Sequence, residues 1–403
     1  MVGALPGYPG STVADLKTDL IALATDATYA GANAATATLI PGVDTNPDAG
    51  VLTFDGGAKT VTATATDDTF VFENWDLTGW SFIVPDANYI GKIRNCIFGG
   101  DNSNGFTAYI NGGGTQESKG GVKTIERCTF DGGGTLNPAS FIHCRFAWVQ
   151  NNVLKNCSDD YIKPSGWDAS TTCYIQGNLF DQPVAVGNDT LAYNGATSYS
   201  VDEAIIETVA KGGGSAKPYL ALALNAGILG APPATWGSNT DWNFIDPHVD
   251  GIQADGKYIG PITYRWNSML ITGGKRNIGL TSGMWPQPHS TTTLAYANLL
   301  YENRIDTRVD VGGNNSFTRC FASPPAGWIG TKPKFYNNWL ETDYKWNVSG
   351  GGAFDWGGNT QFDETAIPYN DADISGAGAV DYTPPARETG YPGTGIKGLS
   401  PAV

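Results

Sequence analysis

Hydrophobic and polar positions along the chain follow one recurring hexamer: apolar, two variable positions, Cys or Asn, one variable position, apolar. It occurs at Ile93–Phe98 (IRNCIF), Ile125–Phe130 (IERCTF), Phe141–Phe146 (FIHCRF) and Val149–Leu154 (VQNNVL). It returns at Ile175–Phe180 (IQGNLF), Tyr264–Met269 (YRWNSM), Leu300–Ile305 (LYENRI) and Phe335–Leu340 (FYNNWL). Positions four and six are two residues apart and share one face of a strand. Each copy therefore sets Cys or Asn beside a large apolar residue on that face. Gly-rich turns such as Gly99-Gly100 and Gly132-Gly133-Gly134 follow several copies. Short strands between turns, with inward Asn and Cys in register, predict an all-β body of stacked rungs over residues 49–365.

The ends and one internal segment read differently. Residues 1–48 predict an N-terminal cap or attachment segment, with one helix over Thr12–Thr28 behind Ser11 or Thr12. Residues 184–246 interrupt the repeat as a partly helical insertion, with helices expected at Val201–Ala210 and about Ala216–Leu229, linked by Gly212-Gly213-Gly214. Residues 366–403, rich in Pro, Gly and Ala, read as an extended tail. Gly393–Gly398 in that tail matches GxGxxG, but no strand precedes it and no helix follows, so it is not a dinucleotide site.

Composition narrows the classes. In 403 residues there are 12 Trp, 18 Tyr and 16 Phe, which excludes disorder, and 53 Gly without a three-residue period, which excludes collagen. A net charge of −15 lacks the basic footprint that nucleic acid demands. It suits a neutral glycan, a cation-bridged anionic glycan, or a pocket with a local basic patch. The apolar run Tyr219–Gly230 is too short to span a bilayer, so no membrane insertion is expected. No secretory signal is readable. Six cysteines without a CxxC pair predict buried free thiols.

The hexamers, above all the N-N-x-L and N-C-x-F forms, resemble the coil repeat of right-handed parallel β-helix proteins. That is the pectin-lyase-like fold of polysaccharide lyases, glycoside hydrolases and phage tailspikes. The resemblance covers roughly residues 50–365. It implies a right-handed solenoid whose ligand is a polysaccharide; a β-sandwich with Asn-rich edges is the plainer alternative.

Two segments flanking the insertion align without gaps: Ser158–Gly166 (SDDYIKPSG) and His248–Gly256 (HVDGIQADG). Removing the insertion leaves about 27 residues between them, one solenoid turn. A further step of about 26 residues carries Ile252 to Ile278. This register stacks Asp160, Asp250 and Arg276 in one column, with Lys163, Gln253 and Lys275 beside it and Asp159 and His248 close by. Two carboxylates a rung apart suit general acid/base work on a glycan, and one of them must stay protonated unless a cation intervenes. A lyase instead needs a base, Lys163 or His248, and a positive group to neutralise a uronate: Arg276, or Ca²⁺ held by Asp159, Asp160 and Asp250. Read as scaffold, the same column is a ladder of turn aspartates. The DDYI and VDGI segments resemble the aspartate motifs of polygalacturonase-type hydrolases. Gln253 stands where a third Asp belongs and no Gly-His-Gly occurs, which weighs against inverting hydrolysis.

Trp242, Trp266 and Trp285, with His289 in the loop WPQPH, are candidate sugar-stacking residues, and Trp236 flanks the insertion as well. His143 lies inside a repeat copy and reads as a packed or edge residue. GxSxG, HExxH, Walker A and EF-hand patterns are absent. The resemblance thus implies a spike or fibre of the phage tailspike kind, at a virion surface or extracellular. Such a protein binds and depolymerises a bacterial surface polysaccharide, docks to other virion proteins through its N-terminal segment, and forms a homotrimer. A non-catalytic glycan-binding or structural virion spike shares every feature, as does a secreted bacterial polysaccharide lyase.

Overall fold

The computed structural model describes residues between Thr36 and Ala386, apart from 45–49, 101–107, 134–139, 182–192, 208–218, 253–261, 272–279, 283–292, 303–333, 341–352 and shorter stretches among the strands. The helix expected over 12–28 lies outside the described residues. Among the described residues the fold is all-β: every regular element is a strand.

Three ladders of parallel strands carry the architecture. The first runs through Thr60–Ala63, Ser81–Val84, Ala108–Gly112, Ser140–Gln150, Asp160–Pro164, Val249–Ile252 and Leu280–Ser282. The second runs through Asp67–Glu73, Tyr89–Arg94, Gly121–Glu126, the far half of Ser140–Gln150, Cys173–Gln176, Ile262–Arg265 and Thr293–Tyr296. It continues to Lys334–Tyr336, Phe354–Gly357 and Ala379–Asp381. The third starts at Asp76–Thr78 and ends at Thr360–Gln361.

The hexamer is the corner between the second and third ladders. Position one closes a second-ladder strand and position six lies in the third. Phe72, Ile93, Ile125, Val149, Ile175 and Tyr264 follow one another in register at position one. Leu77, Phe98, Phe130, Leu154, Phe180 and Met269 do so at position six. Position three turns the chain with positive φ: Asn74, Asn95, Arg127, Asn151, Gly177, Asn337 and Gly358 all sit there. Gly and Asn reach this left-handed region most cheaply, which explains their recurrence.

Position four forms a buried ladder. Asn152 Oδ1 accepts from the Cys128 amide at 2.9 Å, Asn178 Oδ1 from the Asn152 amide at 3.1 Å, and Asn267 Oδ1 from the Asn178 amide at 3.0 Å. Side-chain amides also donate along the stack, Asn152 to Asn178 and Asn178 to Asn267, at 3.0 Å each. Asn338 and Asn359 repeat the arrangement near the far end. Each corner amide thereby finds the partner that burial demands. Beside it, Phe98 and Phe130 stack with centroids 4.9 Å apart, and Phe130 meets Phe141 at 6.0 Å. Burying one such ring contributes about 2–3 kcal/mol.

Several expectations are corrected. The expected strand with positions four and six on one face occurs at Phe141–Phe146, within the single long strand Ser140–Gln150 that passes from the first ladder to the second; the copies starting at Ile93, Ile125, Val149, Ile175 and Phe335 bend at position three instead. Leu300 falls at position six, opposite Met269, so the copy on that rung is Ala295–Leu300 rather than Leu300–Ile305. Phe72–Leu77 and Trp356–Gln361 are corners that the pattern does not cover, because Trp75 stands at position four of the first and Gln361 at position six of the second. The helices expected within the insertion are strands where described: Ala204–Glu207, Tyr219–Ala223 and Trp242–Ile245 form an antiparallel sheet, and Ser198–Tyr199 pairs with Gly227–Ile228. The Ala- and Leu-rich sequence favours helix locally, but cross-strand packing onto a separate small core of Tyr199, Ile205, Ala223, Leu229 and Trp242 overrides it. In the region read as tail, Ala379–Asp381 extends the second ladder and Ile367 is buried.

Candidate functional site

The outer face of the second ladder carries two columns of side chains. Along one, Val71, Lys92, Thr124, Trp148, Tyr174 and Thr263 follow in register. Along the other run Glu73, Arg94, Glu126, Gln150, Gln176 and Arg265, each at position two of its corner. The indole of Trp148 stacks on Tyr174, with centroids 4.1 Å apart and planes within 8°. The Arg265 guanidinium lies 5.6 Å from the Tyr174 centroid. On the other side of Trp148 stands the short Thr124. The drop in side-chain size opens a cleft of about 530 Å³. Lys92, Arg94, Glu126, Arg127, Trp148 and Gln150 line it together with Thr124, Asn95 and Asn151.

The polar column is a hydrogen-bonded chain. Arg265 Nε donates to Gln176 Oε1 at 2.9 Å, Gln176 Nε2 to Gln150 Oε1 at 3.0 Å, and Gln150 Nε2 to Glu126 Oε2 at 2.9 Å. Lys92 Nζ meets Glu126 Oε1 from the opposite side at 2.8 Å. Arg94 pairs with Glu73. Burial alone pushes the Glu126 carboxyl up, but the bonds from Lys92 and Gln150 and the charges of Lys92 and Arg127 outweigh it and hold the group below its ordinary range. The hydrogen bond to Glu73 raises the Arg94 pKa further. Glu126 is thus a fixed carboxylate, suited to accepting hydrogen bonds and unsuited to delivering a proton near neutrality. An aromatic plate flanked by oriented amides, cations and one carboxylate offers stacking and directional hydrogen bonds in one open notch, the combination a polyhydroxylated ring requires.

Of the residues expected to form a site, Asp160 and Asp250 are brought together: they stand opposite each other on adjacent strands, as do Ile162 and Ile252. Arg276 does not join them in the register expected. The next strand sets Ser282 opposite Asp250, and Leu280 opposite Val249, because the rung is longer than the 26-residue step assumes. Asp160 is wholly buried, and its Oδ2 lies 2.6 Å from Nζ of Lys163, whose side chain is only 19% exposed. That ammonium supplies the counter-charge a calcium ion would bring, so the Asp160 carboxylate does not fit an open Ca²⁺ ligand. No group of three or more His, Cys, Asp or Glu able to hold a metal occurs among the described residues. His143 is half-buried and in register between Asn111 and Lys163. Trp242 is a core residue: it is fully buried and its Nε1 donates to the Gly230 carbonyl at 2.6 Å, leaving no face for a sugar. Asp159, His248, Gln253, Trp266, Lys275, Arg276, Trp285 and His289 lie outside the described residues.

The cleft residues are not among those expected from the sequence, because the regularity of the hexamer lies at positions one, four and six. Position two carried the signal: Arg94, Glu126, Gln150, Gln176 and Arg265 are polar in consecutive corners, a column that packing does not require. Comparison with known proteins returns no match: no family model, no curated protein and no solved structure is similar to this chain.

Proposed function

We propose that this chain is a right-handed parallel β-helix protein of the phage tailspike or fibre kind, which binds a bacterial surface polysaccharide in the cleft at Trp148. The fold reading is supported by three ladders whose strands alternate along the chain, with each strand paired in parallel to its counterpart one turn on. The asparagine ladder at one corner supports it too. The observation that carries the binding reading is the Trp148–Tyr174 stack beside the oriented chain Arg265, Gln176, Gln150, Glu126. In this reading the protein works at a virion surface or outside the cell, segment 1–48 attaches it to other virion proteins, and three copies assemble.

The test is binding of the full chain to a panel of bacterial capsular and exopolysaccharides, followed by Trp148→Ala. Loss of about 1–3 kcal/mol of binding free energy is expected from removing a stacking aromatic at the centre of a site. Unchanged binding by the variant would remove the cleft from the reading.

A second reading, depolymerisation, is favoured by one observation: Asp160 and Asp250 in register, beside His143 and Lys163 in register on the first ladder. There the His143 imidazole would take the proton α to a uronate carboxylate while the glycosidic oxygen β to that carboxylate departs with a proton from the Lys163 ammonium, leaving the unsaturated uronate. Incubation with the bound polysaccharide, read by reducing ends and by unsaturated-uronate absorbance, tests it. Binding without any product leaves the protein a non-catalytic spike.

A further inference from the structure

Arg127 occupies a position that its side chain does not favour. It takes φ +53° at the third position of its corner, where the other described corners have Asn74, Asn95, Asn151, Gly177, Asn337 and Gly358. A non-Gly, non-Asn residue in this left-handed region carries backbone strain. The backbone role there needs no arginine: the Arg127 amide donates to the Gln150 carbonyl at 3.3 Å, a bond any of the others could make. Strain retained at a cleft calls for a reason in the side chain.

The surroundings supply one. Arg127 is half-buried and lines the cleft beside Trp148. The other two cations of the cleft are already matched, Lys92 by Glu126 and Arg94 by Glu73. Arg127 has no carboxylate within ion-pair distance among the described residues. It acts on Glu126 through its charge, while the oxygens of that carboxylate are occupied by Lys92 and Gln150. With Glu73 counted, three cations stand against two carboxylates at the cleft, a single positive excess carried by Arg127, on a chain whose net charge is −15. A local positive site on an acidic surface selects an anion, and a planar guanidinium fork matches a carboxylate in bidentate geometry.

We infer that Arg127 recognises the carboxylate of an acidic sugar, a uronic acid or a comparably carboxylated residue, in a glycan stacked on Trp148. The inference rests on the glycan-binding reading and names the substrate class for that site.

Calorimetric titration of the full chain with oligogalacturonates, with oligomannuronates, and with the same oligomers after carboxyl reduction to neutral sugars tests it. At least one acidic oligomer should bind, and its reduced form should bind tenfold or more weakly, the scale of a charge-assisted hydrogen-bond pair. Arg127→Asn should weaken acidic binding by about tenfold, narrow the gap between the acidic and the reduced oligomer, and flatten the salt dependence. The same variant should melt about 2 °C higher, since Asn suits the left-handed corner. Arg127→Lys, which keeps the charge and loses the fork, should fall between. Equal binding of acidic and reduced oligomers, or unchanged acidic affinity in Arg127→Asn, would overturn the inference. If Trp148→Ala abolishes binding while Arg127→Asn does not, only the carboxylate assignment fails. If neither form of any oligomer binds, the assignment and the glycan reading fall together.

Discussion

Asp160 and Asp250 face each other across one parallel strand pair, although the whole antiparallel unit of residues 193–245 lies between them in sequence. The pair is not an open acid/base dyad on the Asp160 side, because that carboxylate is buried against Lys163 at 2.6 Å. Removing one partner of a buried ion pair strands the other, which costs about 3–5 kcal/mol when both are enclosed. Lys163 keeps some access to water, so Asp160→Asn should cost less, about 2 kcal/mol in urea unfolding. Lys163→Met should cost a similar amount, and the double variant clearly less than the sum. Additive losses would show that the two side chains do not act as a unit. If the pair also serves cleavage, Asp160→Asn should abolish product formation while polysaccharide binding at the Trp148 cleft persists.

The asparagine ladder gives a second expectation. Asn178 Oδ1 accepts from both the amide and the side chain of Asn152, and its Nδ2 donates to the Val149 carbonyl and to Asn267. Asn178→Ala leaves buried groups on two neighbouring rungs without partners, each worth about 1–3 kcal/mol. A total loss of about 3–4 kcal/mol is expected, large for one substitution and tied to buried unsatisfied groups. A loss below 1 kcal/mol would mean that water replaces the ladder.

The pH dependence follows from Glu126. Its folded pKa is lowered, so the stability it contributes is fully present above the ordinary carboxylate range and is lost as pH falls through the folded value. Glu126→Gln should be about 1 kcal/mol less stable than wild type at pH 7, discounted for the partial exposure of Lys92. The difference should close as pH falls below the ordinary carboxylate range and through the lowered folded value, where the wild-type carboxylate is protonated too. A difference that instead closes above the ordinary carboxylate range would contradict the assigned shift.

The thiols offer a chemical check. Cys96, Cys128, Cys144, Cys157 and Cys173 are free and buried. Burial pushes Cys144 up to about 12 and Cys128 well above its ordinary value, so neither presents a thiolate near neutrality. Iodoacetamide at pH 8 should leave these five unmodified in the folded chain and alkylate them in urea. Rapid native labelling of Cys128 would show that the corner opens.

What the sequence could disclose depended on how local the signal was. In the hexamer, an inward amide or thiol at position four and an apolar side chain at six are short-range consequences of strand alternation. Phe141–Phe146 and Leu300–Ile305 met the same pattern without being corners, since a six-residue pattern cannot tell a bend from the middle of a strand. The insertion misled for a related reason: Ala, Leu and Glu prefer helix in isolation, and only the partner strands reversed that preference.

By itself the sequence determined an all-β fold, the neighbouring places of Asp160 and Asp250 and buried free thiols, because each follows from composition, from periodicity or from the match of two segments; that most hexamers bend at position three was decided by the structure. Tertiary structure alone decided that Trp242 is core, that Ser282 rather than Arg276 stands opposite Asp250, and that Trp148, Glu126 and Arg127 share one cleft, with Tyr174 stacked behind Trp148. Outward-facing side chains meet residues in register on the neighbouring strands, and the sequence separation between paired strands varies, 20 residues from Ile142 to Ile162 and 90 from Ile162 to Ile252. The register that aligns them is therefore set by the closing of the strand ladders and is not contained in any local stretch of chain.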